Sequence, residues 1–168
     1  MAKDKTLQDL FTDSLKDVYF AEKKILVALP KMMKAAQNAK LAAAFEKHLA
    51  ETEGQIERLE RVFEELGESA KGKKCPSILG IVEEGQEIMK EYKGTSALDA
   101  GLVASAQAVE HYEICRYGTL VTWAKELGLN QSVKLLKQTL NEEEKTDKAL
   151  SMLAESVVNQ QAMAEAAE

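Results

Sequence analysis

Apolar side chains recur along this chain in alternating steps of three and four residues, the spacing of helices that turn one stripe toward a shared core. One stripe runs from Phe11 through Leu15, Val18, Ile25, Leu29 and Met32, and a second from Leu41 through Phe45, Leu59 and Val62. A third joins Val103, Ala106, Tyr117, Leu120, Ala124 and Leu127, and a fourth joins Val133, Leu136, Leu140, Leu150, Ala154 and Val157. Four long amphipathic helices are predicted. Thr6-Leu-Gln-Asp9 has the form of a capping box and opens the first, expected to run to about Ala36 with a kink or loosening at Pro30. After a short turn over Gln37 to Lys40, the second is expected from about Leu41 to Leu66, closed by Gly67.

The polar, Gly/Lys-rich stretch from Glu68 to Lys74 reads as a loop, and Pro76 as the start of a shorter helix reaching about Tyr92, with Ile78, Val82, Met89 and Tyr92 along one side. Ser96-Ala-Leu-Asp99 repeats the capping-box pattern and opens the third long helix, which ends near Leu127 at Gly128. Asn130 is placed to cap the fourth, which is expected to end near Val158, with 159–168 fraying. Residues 1–168 thus read as a single all-α domain: helical hairpins over about 6–67 and 96–158, joined by a crossover over 68–95 with its own short helix. A four-helix bundle with one long connection is the ferritin-like arrangement, one of several that the helix lengths permit.

Composition supports the helical reading: only 5% of residues are aromatic and there are two prolines in 168. The 28 acidic and 22 basic residues give a net charge of −6 with the signs interspersed, which disfavours nucleic acid as a partner. No apolar run approaches the length needed to span a bilayer, and no signal-peptide pattern follows Met1. Cys75 and Cys115 have neither redox-motif nor metal-finger spacing and read as reduced thiols. A cytoplasmic protein without a membrane partner is expected.

The stripes become informative where they are interrupted. Glu22 stands in the middle of the first; His48, Thr52 and Gln55 occupy the middle of the second, with Glu51 one position off and able to lean inward. Glu110 and Glu113 take consecutive positions in the third, and Glu143 and Asp147 in the fourth. Counted from the hairpin turns at a rise of 1.5 Å per residue, Glu22 is level with Glu51 and Glu113 with Glu143, while Glu110 would face Asp147 about one turn away. Unpaired buried carboxylates are costly and repel one another, so a positive charge is expected among them. Arg58 and Arg116 are near in sequence but off the stripes. Bound metal is the more economical counter-charge.

An oxygen-rich donor set with little imidazole and no thiolate favours iron or manganese, and a bundle layer of this kind can hold two ions. Six carboxylates against two divalent ions leave excess negative charge, which suggests trivalent ions, a shared proton or one carboxylate outside the coordination sphere. His48 can ligate, although a hydrogen-bonded core histidine is the preferred reading. Gln55 is a further candidate ligand. Tyr19 and Tyr117 are candidates for donating to ligands or relaying electrons, against plain core packing. His111 is expected to face solvent or a partner chain. The competing account is a polar layer that sets helix register without metal.

The strings D17-V-Y-F-A-E-K23, H48-L-A-E-T-E-G-Q55, V109-E-H-Y-E-I-C-R-Y-G-T-L120 and T139-L-N-E-E-E-K-T-D147, with the K74-C-P loop, resemble the YciE/YciF family of ferritin-like bacterial stress proteins. The resemblance covers nearly the whole chain. It implies a rubrerythrin-like bundle, a homodimer, a di-metal carboxylate site and a role in stress or oxidant defence. It also implies core ligand roles for Glu22, Glu51, Glu113 and Glu143, with Glu110 and Asp147 as additional sites. The Glu-x-x-His pairs usual in ferritin-like sites are missing, since Gly54 follows Glu51 by three and Thr146 follows Glu143 by three. The expected function is a metal-dependent reaction with peroxide or dioxygen, by catalase-like dismutation or ferrous oxidation. The alternative is a non-catalytic dimeric helical stress protein that binds metal weakly or not at all.

Overall fold

The computed structural model describes residues 4–164. Its helices are α1 (Leu7–Ala35), α2 (Ala39–Glu65), α3 (Pro76–Glu91), α4 (Leu98–Glu126) and α5 (Asn130–Leu153), followed by a π-helical turn (Ala154–Val158) and α6 (Asn159–Ala164). No strand occurs among the described residues. α1 packs on α2 and α4, and α5 on α2 and α4, closing the four-helix bundle. The crossover helix α3 lies against α4 and α1. This is the expected all-α, ferritin-like arrangement.

Local chemistry explains most of the boundaries. The Thr6–Asp9 capping box forms, with Asp9 N–H donating to Thr6 Oγ1 at 3.2 Å and Thr6 N–H to Asp9 Oδ2 at 2.8 Å. α1 then continues through Pro30 to Ala35. Asn38 Oδ1 accepts from the N–H groups of Lys40 and Leu41, so α2 begins at Ala39, two residues before the expected start. Gly67 and Gly128 end α2 and α4 in the left-handed conformation, with φ of 68° and 72°.

Three expected ends differ. Ser96 and Asp99 form no capping box for α4; Asp99 is buried and accepts from Gln37 N–H at 2.8 Å and Asn38 N–H at 2.7 Å, holding the α1–α2 turn from across the bundle. Asn130 is the first residue of α5 rather than its cap, and Glu65 of α2 accepts from Ser132 N–H at 2.7 Å instead. Asn159–Ala164 are helical, with Asn38 Nδ2 donating to Gln161 Oε1 at 3.0 Å and Ser96 Oγ to the Ala162 carbonyl at 3.3 Å. The remainder of the expected frayed tail, 165–168, lies outside the described residues.

α3 sits close to α4 because Gly101 lets it. A Cβ on Gly101 of α4 would stand 2.6 Å from Ile88 Cγ2, whereas one on Gly85 of α3 would meet Ser105 Cβ at an ordinary contact distance of 3.5 Å. Ile78 is buried, Val82 and Met89 partly so, whereas Tyr92 caps the helix in solvent rather than joining that side. The core falls into two apolar halves. Phe11, Leu15, Leu59, Phe63 and Leu120 fill one; Ile25, Leu29, Leu41, Phe45 and Leu102 fill the other. The interruptions in the stripes lie between them.

Candidate metal centre

Each residue of the polar layer is carried there by the three–four spacing of its helix. On α1, Val18, Glu22 and Ile25 are successive stripe positions and all buried, as are Ala106, Glu110, Glu113 and Tyr117 on α4. α2 buries Phe45, His48, Thr52, Gln55 and Leu59. α5 is turned slightly from the expected face: Ser132, Leu136, Thr139, Glu143, Thr146 and Leu150 are buried, while Val133, Leu140 and Asp147 are half-buried. The rotation keeps Glu143 central and moves Asp147 to the side.

His48, Glu110, Glu113 and Glu143 each offer a ligand atom within 4.8 Å of the others, and all four are buried. His48 Nε2 is 3.3 Å from Glu110 Oε1 and 4.0 Å from Glu143 Oε2. The imidazole therefore comes from the residue three before Glu51, not three after it. At the position three after it, a Cβ on Gly54 would stand 3.8 Å from Arg58 Nη1. Glu22 is fully buried, faces Glu113 and takes a short hydrogen bond from the Tyr117 hydroxyl. Gln55 Nε2 donates to Glu143 Oε1 and, at 3.3 Å, to Glu142 Oε2.

The other candidates stand apart from this group. Glu51 is at the rim, 2.6 Å from Lys47 Nζ, with Thr146 Oγ1 at 3.5 Å and His48 Nδ1 at 4.0 Å. Asp147 accepts from Gln107 Nε2 at 3.0 Å and lies 3.3 Å from Nε2 of the exposed His111. Tyr19 donates to Glu60 at 2.8 Å and packs edge-on against Phe63. Both cysteines are free thiols: Cys75 is buried 3.3 Å from the Tyr112 hydroxyl, and Cys115 is exposed.

Hydrogen bonding in the layer is incomplete. Among the described residues, eight buried polar side-chain atoms have no hydrogen-bond partner: Glu22 Oε2, both nitrogens of His48, Gln55 Oε1, Glu110 Oε2, both oxygens of Glu113, and Glu143 Oε2. His48 is thus not the expected hydrogen-bonded core histidine: Glu51 and Glu143, each 4.0 Å away, are beyond hydrogen-bond reach, and Glu110 at 3.3 Å makes no aligned bond. Buried polar atoms normally find partners, and here the unpaired ones are confined to one layer.

The electrostatics follow from burial. Glu22 is pushed up to about 8, first by burial and then by the charge of Glu143, against the lowering effects of Tyr117, Glu113 and Arg58. Glu143 is pushed up to about 7 by burial, with further raising from Glu51 and Glu142. Glu110 and Glu113 are raised well above the usual carboxylate range, again by burial first and then by neighbouring carboxylates. Burial lowers His48 to about 4, so its ring is neutral near neutral pH. Tyr117 is held well above the usual phenol range by burial and by Glu22, and keeps its proton.

Arg58, set aside in the sequence as lying off the stripes, completes the surroundings with Glu142 and Thr139, which the sequence reading did not single out. Arg58 forms a short ion pair with Glu142, and its Nε donates to Thr139 Oγ1 at 3.0 Å. The available signal was spacing: Arg58 follows Gln55 by three, and a long side chain can reach sideways around its helix.

Over residues 6–163 the chain matches the family described as domain of unknown function (DUF892). It is 46% identical over 159 residues to Protein YciF of Escherichia coli strain K12, spanning 94% of this chain and 96% of that protein. The crystal structure of the E. coli stress protein YciF superposes with a TM-score of 0.88 over 93% of this chain and 99% of that one. YcfI of Rhodopseudomonas palustris, also 46% identical, superposes at 0.86 over 90% and 97%. A Xanthomonas campestris protein at 20% identity shares the fold, with a TM-score of 0.73 over 95% and 99% of the two chains.

Proposed function

The chain belongs to the YciE/YciF family, and from that membership we propose that it is a metal-binding carboxylate protein of stress defence whose buried centre reacts with dioxygen or peroxide. The observation that carries this reading is the set of eight unpartnered polar atoms in one layer. A polar layer serving only to fix register would be stabilised by amide or hydroxyl donors aimed at those atoms; Glu113 approaches only neighbouring carboxyls such as Glu22, and neither nitrogen of His48 is hydrogen-bonded. Their chemistry, carboxylate oxygen with one neutral imidazole, fits iron or manganese.

His48, Glu110, Glu113 and Glu143 would hold one ion, and Glu22, opposite Glu113, supplies a further carboxylate for a second. Four buried carboxylates carry −4 when ionised, which two divalent ions neutralise. Glu51 and Asp147, with polar partners at the rim, account for the excess charge in a six-carboxylate count. Bound iron or manganese would supply the redox steps needed to reduce dioxygen or dismute peroxide. The protein holds the ligands in place: Tyr117 donates to Glu22 and Gln55 to Glu143, while the apolar halves of the core exclude water from either side. The same reading keeps the homodimer implied by the family resemblance, with a small oxidant as the other partner.

Dialysis of chelator-free protein against manganese or, without air, ferrous iron tests it. About two ions per chain and consumption of peroxide or dioxygen by the loaded protein are expected. A protein that stays metal-free contradicts the reading and favours the non-catalytic alternative.

A further inference from the structure

Between α1, α3 and α4 lies a cavity of about 30 Å³, reaching from the surface near Lys31 and Gln86 to His48 and Glu110. Such a volume accommodates about two molecules the size of water. Ile25, Leu29, Val82 and Met89 form much of its wall, and the small residues Gly85 and Ala106 keep it open. Ser105 offers no free donor there, because its hydroxyl already donates to the Gly101 carbonyl at 3.0 Å. His48 and Glu110 are its most deeply buried polar lining, and both His48 nitrogens and Glu110 Oε2 are unpartnered.

We infer that this cavity is the route by which dioxygen, rather than a charged or strongly hydrogen-bonding oxidant, reaches the layer of His48 and Glu110. Dioxygen has no charge and no hydrogen bonds to give up, so an apolar wall costs it little. Peroxide would have to shed its water partners along a wall that replaces few of them, and a metal cation its hydration shell. The crossover helix is then part of the centre's function: Gly101 lets α3 approach α4 closely, and α3 roofs the passage with Val82, Gly85 and Met89. The inference rests on the metal-centre reading and narrows its substrate.

Xenon, a probe that enters apolar cavities, separates the passage from the metal chemistry. Crystals of the wild-type chain under xenon pressure should show a xenon atom between Gly85 and Ala106, and Gly85→Leu on α3 and Ala28→Leu on α1, both at positions that line the cavity, should lose it. In ferrous-loaded protein both variants should bind iron as the wild type does but oxidise it with dioxygen at least tenfold more slowly. If either variant fails to fold, the other carries the comparison. Absence of xenon from a wild-type protein that binds iron overturns the passage alone, as does oxidation at the wild-type rate in a folded, plugged variant. Xenon uptake by a protein that binds no iron overturns instead the metal centre on which the passage depends.

Discussion

His48 Nε2 stands 3.3 Å from Glu110 Oε1, which brings the imidazole of α2 against the first carboxylate of the Glu110–Glu113 pair on α4. Neither ring nitrogen is hydrogen-bonded, and burial keeps the ring neutral. His48→Leu replaces two unpaired polar atoms by an apolar group of similar size. It is expected to weaken manganese binding at least about tenfold, while metal-free stability is unchanged or rises by about 1 kcal/mol. Calorimetric titration and urea denaturation read the two effects. Lost stability with unchanged affinity would make His48 a packing residue.

The metal-free protein should be destabilised by alkali. Glu22, Glu110, Glu113 and Glu143 all have folded-state values raised above the unfolded one, so the folded chain holds more protons than the unfolded chain. Their contribution is therefore lost as pH rises from about 4.5 through 8, by up to about 1.4 kcal/mol per pH unit for each proton released. His48 is lowered to about 4 and acts in the opposite sense between there and its unfolded value near 6.5, as one group against four. Denaturation midpoints from pH 5 to 8.5 should fall for the metal-free form and change less for the loaded form. A metal-free midpoint that climbs with pH would show that the carboxylates are already neutralised.

Arg58 offers a test in which stability and metal affinity separate. Its guanidinium holds Glu142 and Thr139, and its charge lies close enough to lower Glu22. Arg58→Ala should cost about 1–3 kcal/mol because Glu142 loses its partner at a part-buried position, yet should leave manganese affinity equal or higher, since a competing cation is gone. Lys at 58 restores the charge but not the fork, and should recover only part of the stability. Reduced affinity in the Ala variant would place Arg58 among the supports of the ligands.

Glu113 is fully buried, and neither of its oxygens takes a hydrogen bond from an amide or hydroxyl donor; its near neighbour is the carboxyl of Glu22. Glu113→Gln keeps the shape, removes one repelling carboxyl and gives Glu22 a donor. Metal-free stability at pH 8 should rise by about 1–2 kcal/mol, the slope against pH should flatten, and retained manganese should drop below one ion per chain. Full retention of metal by this variant would remove Glu113 from the ligand set.

Much of this layout was legible because the helical period forces it. Every expected stripe position of α1 and α2 is buried, and so are Glu110, Glu113 and Tyr117 on α4. α5 was less legible: Thr139 and Thr146 are buried where Leu140 and Asp147 had been placed. Adjacent positions fit a three–four pattern nearly as well, and packing against α2 and α4 decides between them. Backbone level did not fix side-chain direction either; Glu51, set level with Glu22, turns to Lys47. Asp99, Glu65 and Arg58 act on partners 62, 67 and 84 residues away, a distance at which no local spacing pattern operates.

The most direct measurement is anomalous diffraction at the manganese edge from crystals equilibrated with manganese. The account predicts peaks inside the bundle in contact with His48, Glu110, Glu113 and Glu143, with Glu22 beside the second. Peaks only at surface carboxylates, or an ordered layer holding no ion at saturating manganese, would contradict it.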